Sequence, residues 1–117
     1  MIVEDDPVIA SALRALLLRW GHEAQVVSTG GEALSRLVGT LPDTIILDLM
    51  LTQGSGLDVL RFVRRHDLPV KVGVVTAAND PGLLREVKTL RPDLLMHKPV
   101  EMTQLKQWLD RMGSTKE

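Results

Sequence analysis

The feature of this 117-residue sequence that most constrains its fold is a regular alternation between short apolar runs and stretches with helical periodicity. The apolar runs are "MIVE", "EAQVV", "TIILDL", "VKVGVVT" and "DLLMH", and a helical pattern follows each of them. Strands joined by helices pair in parallel, because a parallel connection has to cross over the sheet. The sequence therefore predicts one α/β domain, with a parallel sheet covered by helices on both faces.

The predicted helices begin at residues that commonly cap helices. Asp6 and Asp80 each precede a proline, which suits the first helical position. Thr29 with Glu32 matches a capping box, and Ser55 can open the third helix. The apolar residues predicted to lie on the packing faces, both tryptophans among them, are Val8, Ile9, Ala12, Leu13, Leu16, Leu17, Trp20, Ala33, Leu34, Leu37, Val38, Leu57, Leu60, Val63, Leu84, Val87, Leu105, Trp108, Leu109 and Met112.

A balanced composition excludes several classes of protein. The formal net charge is -1, with 14 basic and 15 acidic residues, which gives no global field for nucleic acid or anionic membranes. The absence of cysteine excludes disulfides and thiolate chemistry. The opening "MIVEDD" has neither the basic start nor the apolar stretch of a signal peptide, and no segment approaches a membrane-spanning length. We therefore expect a cytoplasmic domain that binds neither nucleic acid nor membrane directly.

Polar side chains stand where the predicted strands end. Glu4, Asp5 and Asp6 follow the first strand, and Asp48, Thr76 and Lys98 end the third, fourth and fifth. The carboxyl ends of parallel strands meet at one edge of an open sheet, where sites of this fold class form. Clustered carboxylates need a cation, and Mg²⁺ prefers oxygen ligands. Carboxylates, Mg²⁺, a hydroxyl and an ammonium group together suit phosphoryl transfer.

Each of these residues has an ordinary explanation when it is taken alone. Asp48 can cap a loop, the acidic residues after the first strand can begin a helix, and Thr76 suits a strand because it is β-branched. Lys98 before a proline is unremarkable by itself. Independent explanations do not predict that all of them fall at the ends of different strands, and the pattern therefore favours a site.

These residues stand in motifs that resemble, over the whole chain, the receiver domain of two-component response regulators. The motifs are "VEDD", "LDLML" followed by Gly56, "VVTA" and "HKP". The resemblance implies a flavodoxin-like (βα)5 fold in three layers, with strand order 2-1-3-4-5. It implies a phosphorylation-driven switch that catalyses only its own phosphorylation and dephosphorylation. The implied partner is a sensor histidine kinase or phosphotransfer protein; an output domain, a partner protein and a second copy of the chain stay open.

The resemblance also implies a role for each residue of the site. Asp48 would be the phosphoacceptor, Thr76 would donate its hydroxyl to a phosphoryl oxygen, and Lys98 would pair with another. The bond between Lys98 and Pro99 is expected to be cis. The implied ligands of Mg²⁺ are Glu4, Asp5, Asp48 and the main-chain carbonyl of Met50.

Several positions depart from the common pattern of the family. Leu95 stands where many receivers have tyrosine or phenylalanine, so signalling would pass through the loop after Thr76 and the fourth helix, or through a different surface. Thr52 replaces a common proline, and "TLRPD" replaces a Gly-Ala pair before the fifth strand. Met50 and Ala78 offer no group to orient a water molecule, which predicts slow to moderate loss of the phosphoryl group.

Three other functions fit the sequence less well than the switch does. A phosphohydrolase with an aspartyl nucleophile generally has a second acid two residues later, where this chain has Met50. A flavin-binding module would have a Ser/Thr/Gly-rich first loop and aromatic residues, whereas this chain has "EDDP" and one phenylalanine. A pseudo-receiver would have lost ligands, and none is lost.

The remaining features are predicted to be structural. His22, His66 and His97 lack metal-ligand spacing and are assigned to the surface or to loops. The basic segments "RFVRRH" and "LLREVK" are predicted as solvated helix faces. We expect residues 1–112 to form the receiver domain, with 113–117 as a tail or the start of a linker.

Overall fold

The computed structural model describes residues 1–51 and 55–113, and it has the predicted α/β architecture. Over these residues, the strands are β1 (Ile2–Val3), β2 (Val26–Val27), β3 (Thr44–Leu47), β4 (Lys71–Thr76) and β5 (Leu94–His97). The helices are α1 (Pro7–Arg19), α2 (Gly30–Leu37), α3 (Gly56–Arg65), α4 (Pro81–Thr89) and α5 (Met102–Gly113). All strand pairs are parallel and the sheet order is β2-β1-β3-β4-β5, which confirms the flavodoxin-like fold.

Two apolar clusters lie on the two faces of the sheet. One contains buried residues of α2, α3 and α4, and the other contains buried residues of α1 and α5. Trp108 of α5 is buried, and its ring lies so close to Gly73 of β4 that an added Cβ there would be 2.9 Å from two ring carbons. A side chain at position 73 would therefore separate α5 from the sheet.

Four residues assigned to packing faces are exposed instead. Val8 and Ile9 of α1 are 76% and 41% exposed, Ala12 of the same helix is also exposed, and Val38, after the last turn of α2, is 76% exposed. Ala10 and Leu17 are the buried residues of α1. The apolar pattern predicts the helix correctly but not how much of its apolar face is covered, because that depends on the elements packed against it.

The predicted helix starts are confirmed, with one difference in the capping box. Asp6, Thr29, Ser55 and Asp80 are N-caps whose side chains accept from backbone N–H groups of the first turn. The carboxylate of Glu32 accepts from the N–H and hydroxyl of Ser28, at 3.3 Å and 3.2 Å, and so the return bond reaches one residue before the N-cap.

The strands are shorter than their apolar runs, and this difference affects the site. Strand β3 ends at Leu47, so Asp48 lies on the connection just beyond the sheet and not within it. The bond between Lys98 and Pro99 is cis, as predicted. Thr52 and residues 114–117 of the predicted tail 113–117 lie outside the described residues, and Gly113 is the last residue of α5. Among the helices that the structure describes, none is long and apolar enough to span a membrane.

Candidate functional site

The pairing of the sheet brings the segments after β1 and β3 side by side. The N–H of Asp48 donates to the carbonyl of Val3 at 3.1 Å, and the N–H of Glu4 donates to the carbonyl of Val27 at 3.1 Å. These bonds extend the parallel ladder one residue past each strand. Both acidic side chains therefore emerge from backbone that is fixed by hydrogen bonds on the neighbouring strand.

Three carboxylates meet at this edge of the sheet. Glu4, Asp5 and Asp48 each offer an oxygen within 4.8 Å of the others. Glu4 and Asp48 are buried, at 6% and 7% exposure, and Asp5 is half-buried. Such proximity is unfavourable unless positive charge compensates it, because burial and like charge both penalise the ionised form.

Lys98 supplies positive charge within the site. Its Nζ donates to Glu4 Oε1 and to Asp48 Oδ2, each at 3.0 Å. Burial is the largest single influence and lowers the pKa of the Lys98 ammonium group, but the hydrogen bonds and negative charges of Glu4 and Asp48 together outweigh it and raise that pKa above its ordinary value. One fixed cation therefore bridges two of the three carboxylates.

The remaining donor set fits a hard divalent cation. Three carboxylate oxygens at this spacing are the ligands that Mg²⁺ selects, and the single positive charge of Lys98 does not balance three carboxylates. Glu4, Asp5 and Asp48 are thus the side chains able to hold the metal. The sequence-based expectation names the same three side chains as ligands, together with the Met50 carbonyl, and it stays a prediction.

Thr76 reaches the site through the last pair of strands. It ends β4, and its carbonyl accepts from the N–H of Lys98 at 2.9 Å, so that the hydroxyl-bearing residue and the lysine lie on adjacent strand ends. The Thr76 side chain is fully buried, and its Oγ1 accepts from the N–H of Ala78 at 3.0 Å. Because a hydroxyl also carries a proton, Thr76 can donate to a further acceptor.

The backbone around Asp48 is held on two sides. Asp48 Oδ1 accepts from the N–H of Met50 at 3.0 Å, which turns the connection sharply after the strand. On the other side Gly56, the first residue of α3, packs on Asp48 so closely that a Cβ there would be 2.1 Å from the Asp48 carbonyl oxygen. Only glycine allows this approach without a backbone shift.

Asp6, the third acidic residue after β1, is not part of the acidic cluster. Its Oδ1 accepts from the N–H groups of Val8 and Ile9 at 2.9 Å and 3.3 Å, and its own N–H donates to Glu4 Oε2 at 3.2 Å. The ordinary explanation of Asp6 as a helix cap is therefore the correct one. Its backbone, however, helps to hold Glu4.

The structure gives two residues a larger part than their sequence patterns predict. Gly56 belongs to the motif after Asp48, and its lack of a side chain lets the start of α3 pack against the Asp48 backbone. Arg64, assigned to a solvated helix face, instead donates to the main-chain carbonyls of Leu90 and Arg91. Nothing in the local sequence signals these contacts, because the partners are 26 and 27 residues away.

Comparison with known families gives a match over nearly the whole chain. Residues 1–110 match the model of the response regulator receiver domain. The transcriptional regulatory protein AfsQ1 of Streptomyces coelicolor is 40% identical over 81 residues, which is 68% of this chain and 35% of that protein. The transcriptional regulatory protein DltR of Streptococcus agalactiae is 32% identical over 105 residues, which is 90% of this chain and 47% of that protein.

Solved structures share the fold. The receiver domain of the Francisella response regulator 1452 superposes with a TM-score of 0.87 at 21% identity, covering 99% of this chain and 96% of that one. A CheY-like receiver domain protein from Methanospirillum hungatei gives a TM-score of 0.85 at 22% identity, covering 97% and 94%. The chain spans between about a third and a half of the length of the two curated relatives above.

Proposed function

The chain belongs to the response regulator receiver domain family of two-component systems, and from this premise we propose that it is a switch which accepts a phosphoryl group on Asp48. The observation that carries the proposal is the convergence of Glu4, Asp5, Asp48 and Lys98 at one edge of the sheet. A buried carboxylate beside a lysine and two further carboxylates is suited to phosphoryl transfer assisted by a metal ion.

In the proposed reaction, an oxygen of Asp48 attacks phosphorus of the donor. A new P–O bond forms as the bond between phosphorus and the donor's leaving atom breaks, and that atom takes the bonding electron pair. Lys98 is already within hydrogen-bond distance of Asp48 and can pair with an oxygen of the transferred group. Thr76 can donate its hydroxyl proton to another. Both residues act by positioning and by compensating charge.

We propose that Glu4, Asp5, Asp48 and the carbonyl of Met50 hold Mg²⁺. When bound, the ion supplies positive charge beside the transferred group and offsets the carboxylates that Lys98 alone does not neutralise. The contribution of the protein is to keep these oxygens in place. The hydrogen bonds from the Asp48 N–H to the Val3 carbonyl and from the Asp6 N–H to Glu4 Oε2 do so.

The surroundings of the site favour a protein as phosphodonor. Val8 and Ile9 in the first turn of α1, Met50 after β3 and Met102 at the start of α5 are all large, apolar and exposed. Strand ends and the starts of the following helices share one edge of this fold, so these residues flank the acidic cluster. We propose that they contact a sensor histidine kinase or phosphotransfer protein, because exposed apolar side chains around a polar centre suit a protein interface.

Turnover of an external substrate is a less favourable reading of the same site. Met50, two residues after the proposed nucleophile, carries an apolar side chain that is 57% exposed and offers no acid. We propose that the domain catalyses only its own phosphorylation and dephosphorylation. Residues 1–112 would form the receiver, followed by a tail or linker, and a transcriptional output is a further proposal that rests on the names of the relatives.

The experiment that tests the proposal is incubation with acetyl phosphate and Mg²⁺, followed by intact mass measurement. We expect one phosphoryl adduct on the native protein and none on Asp48→Asn. Asp58→Asn is the matched control, because Asp58 is an exposed aspartate on α3 that pairs with Arg61. An adduct of equal yield on Asp48→Asn would refute Asp48 as the acceptor, and no adduct on the native protein would refute the switch.

A further inference from the structure

Helix α4 is held to the domain unequally along its length. Val87 is its one buried residue, whereas α3 buries Gly56, Leu57, Val59, Leu60 and Val63. The first two residues of α4, Pro81 and Gly82, are exposed. Because few side chains of α4 are removed from water, apolar packing fixes this helix less firmly than its neighbour.

Polar contacts fix the C-terminal end of α4. Arg64, in the last turn of α3, donates through Nε to the carbonyl of Leu90 at 2.9 Å and through Nη2 to the carbonyl of Arg91 at 2.8 Å. Carbonyls at a helix C-terminus have no intrahelical partner, so a guanidinium group that binds the carbonyl of the C-cap residue Leu90 and that of the next residue acts as a cap supplied by another helix.

The same arginine is connected to the sheet. Its Nη2 lies 3.4 Å from Asp93 Oδ2, and that oxygen accepts from the N–H of Val72 at 2.7 Å. The N–H of Asp93 donates in turn to the carbonyl of Val72 at 2.8 Å. The C-terminal end of α4 is thus joined through Arg64 and Asp93 to α3 and to β4.

The N-terminal end of α4 is connected to the site instead. Four residues, 77–80, link Thr76 at the end of β4 to Pro81 at the start of α4. Within that connection, the N–H of Ala78 donates to Thr76 Oγ1. Asp80 caps the helix through a local bond to Gly82. A displacement of Thr76 is therefore carried directly to the first turn of α4.

We propose that Arg64 makes α4 a one-ended hinge. Phosphorylation of Asp48 displaces the N-terminal half of the helix, while the C-terminal end stays fixed on α3 and β4. The inference rests on the proposed function, because the displacement begins when Thr76 turns its hydroxyl toward the phosphoryl group. With this hinge the domain can report phosphorylation without an aromatic side chain at position 95. Leu95 stands there and is half-buried against the same apolar cluster as Val87.

Arg61, which also connects α3 to α4, differs from Arg64 in its surroundings. Arg61 pairs with Asp58 and Glu86, and its side chain is 42% exposed. Exposed ion pairs contribute little to stability, because water and salt screen them.

Arg65 is exposed and neighbours Arg64 in the last turn of α3. It is therefore a matched control.

The test is hydrogen exchange of the whole chain, with and without acetyl phosphate and Mg²⁺, while intact mass reports the fraction phosphorylated. In the native protein and in Arg65→Gln, phosphorylation should change exchange at Leu84 and leave Leu90 and Arg91 unchanged. In Arg64→Gln, the amides of Leu90 and Arg91 should exchange about tenfold faster before phosphorylation, because the helix end frays once no guanidinium group binds the two carbonyls. Phosphorylation should then change exchange at both ends of α4.

Arg64→Lys keeps the charge but not the fork of two donors, and it replaces Arg64→Gln if that variant does not fold. Its Leu90 and Arg91 amides should exchange faster than those of the native protein, but by less than tenfold. If both Arg64 variants form the adduct and show the same exchange pattern as the native protein, the hinge is overturned and the proposed function is not. The same holds if phosphorylation of the native protein changes exchange at both ends of α4. Failure of the native protein to form an adduct would overturn the proposed function, and the hinge with it.

Discussion

At the scale of single residues, the surroundings of Asp48 depend on the absence of a Cβ atom at Gly56. Gly56 opens α3 directly against the Asp48 backbone, and a Cβ at Gly56 would be 2.1 Å from the Asp48 carbonyl oxygen and 2.8 Å from the Cα of Leu49. Both contacts are with backbone, which cannot rotate away as a side chain can. The glycine therefore determines how closely α3 approaches the proposed phosphoacceptor.

Replacing Gly56 with alanine should consequently affect both stability and the site. We expect Gly56→Ala to lower the free energy of unfolding by about 1–3 kcal/mol, as overpacking of a well-packed region does. We also expect slower phosphorylation by acetyl phosphate, because Asp48 has to shift. Urea unfolding and intact mass measure the two effects.

The matched control is Gly31→Ala, since Gly31 lies in α2 and an added Cβ there has nothing within 4 Å. This variant should be unchanged or more stable by up to about 1 kcal/mol, because alanine favours helix. Equal behaviour of the two alanine variants would contradict the role assigned to Gly56.

At the scale of secondary-structure elements, polar contacts connect α5 to the turn after α1. Asp110 accepts from Lys106 Nζ one turn earlier at 2.8 Å, and His22 Nε2 lies 3.5 Å from Asp110 Oδ1. The hydrogen bond from Lys106 is the largest cause that holds the pKa of Asp110 below its ordinary value, and His22 acts in the same direction. The folded chain therefore stabilises the carboxylate form of Asp110 more than its neutral form.

This shift predicts a dependence of stability on acid pH. A carboxyl group whose pKa is lower in the folded state contributes stability above its unfolded pKa of 3.8 and loses it as the pH falls through the lower folded value. We expect native protein to exceed Asp110→Asn in its urea midpoint near neutral pH, by a small amount because the group is exposed. That difference should vanish at strongly acid pH.

Lys106→Gln is the matched variant, because it removes the main partner of Asp110 and leaves the carboxylate in place. It should lose most of the same advantage near neutral pH. A difference between native protein and Asp110→Asn that persists unchanged at strongly acid pH would show that the aspartate acts through something other than its charge.

At the scale of the whole molecule, the acidic site exists only in the folded state. Glu4, Asp5 and Asp48 come from two connections that only the assembled sheet brings within 4.8 Å. An unfolded chain does not present this donor set, so a cation that binds it favours the folded state. Binding at the site and global stability are therefore linked.

We expect Mg²⁺ to raise the thermal midpoint of the native protein. A cation present at a hundred times its dissociation constant, and bound by the folded state alone, adds about 2.7 kcal/mol to the free energy of unfolding. Asp5→Asn should remove most of this effect, because the neutral amide loses a charged ligand. Calorimetric scans over a range of Mg²⁺ concentrations measure it.

Asp58→Asn, outside the acidic cluster, should respond to Mg²⁺ as the native protein does. Equal shifts in the native protein and in Asp5→Asn would mean that the ion acts elsewhere or through general screening. That result would remove Asp5 from the ligand set without bearing on Asp48 as the phosphoacceptor.

The sequence by itself determined the order of the elements, the helix caps and the residues at the strand ends. These features follow from periodicity and from bonds between near neighbours, such as Asp6 with the first turn of α1. The motifs that resemble receiver domains added the strand order and the cis bond before Pro99, which the structure confirms. The roles of Asp48, Thr76 and Lys98 remain predictions.

Only the tertiary structure decided which apolar residues are covered and which polar ones are bound. Val8 and Val38 continue the helical pattern, but no neighbouring element that the structure describes covers them and they are exposed. Arg64 lies in a basic segment that is typical of a solvated helix face, but it donates to main-chain carbonyls at the end of α4. The reason is that periodicity records the direction of a side chain from its own helix, whereas its environment depends on a neighbour encoded elsewhere in the chain.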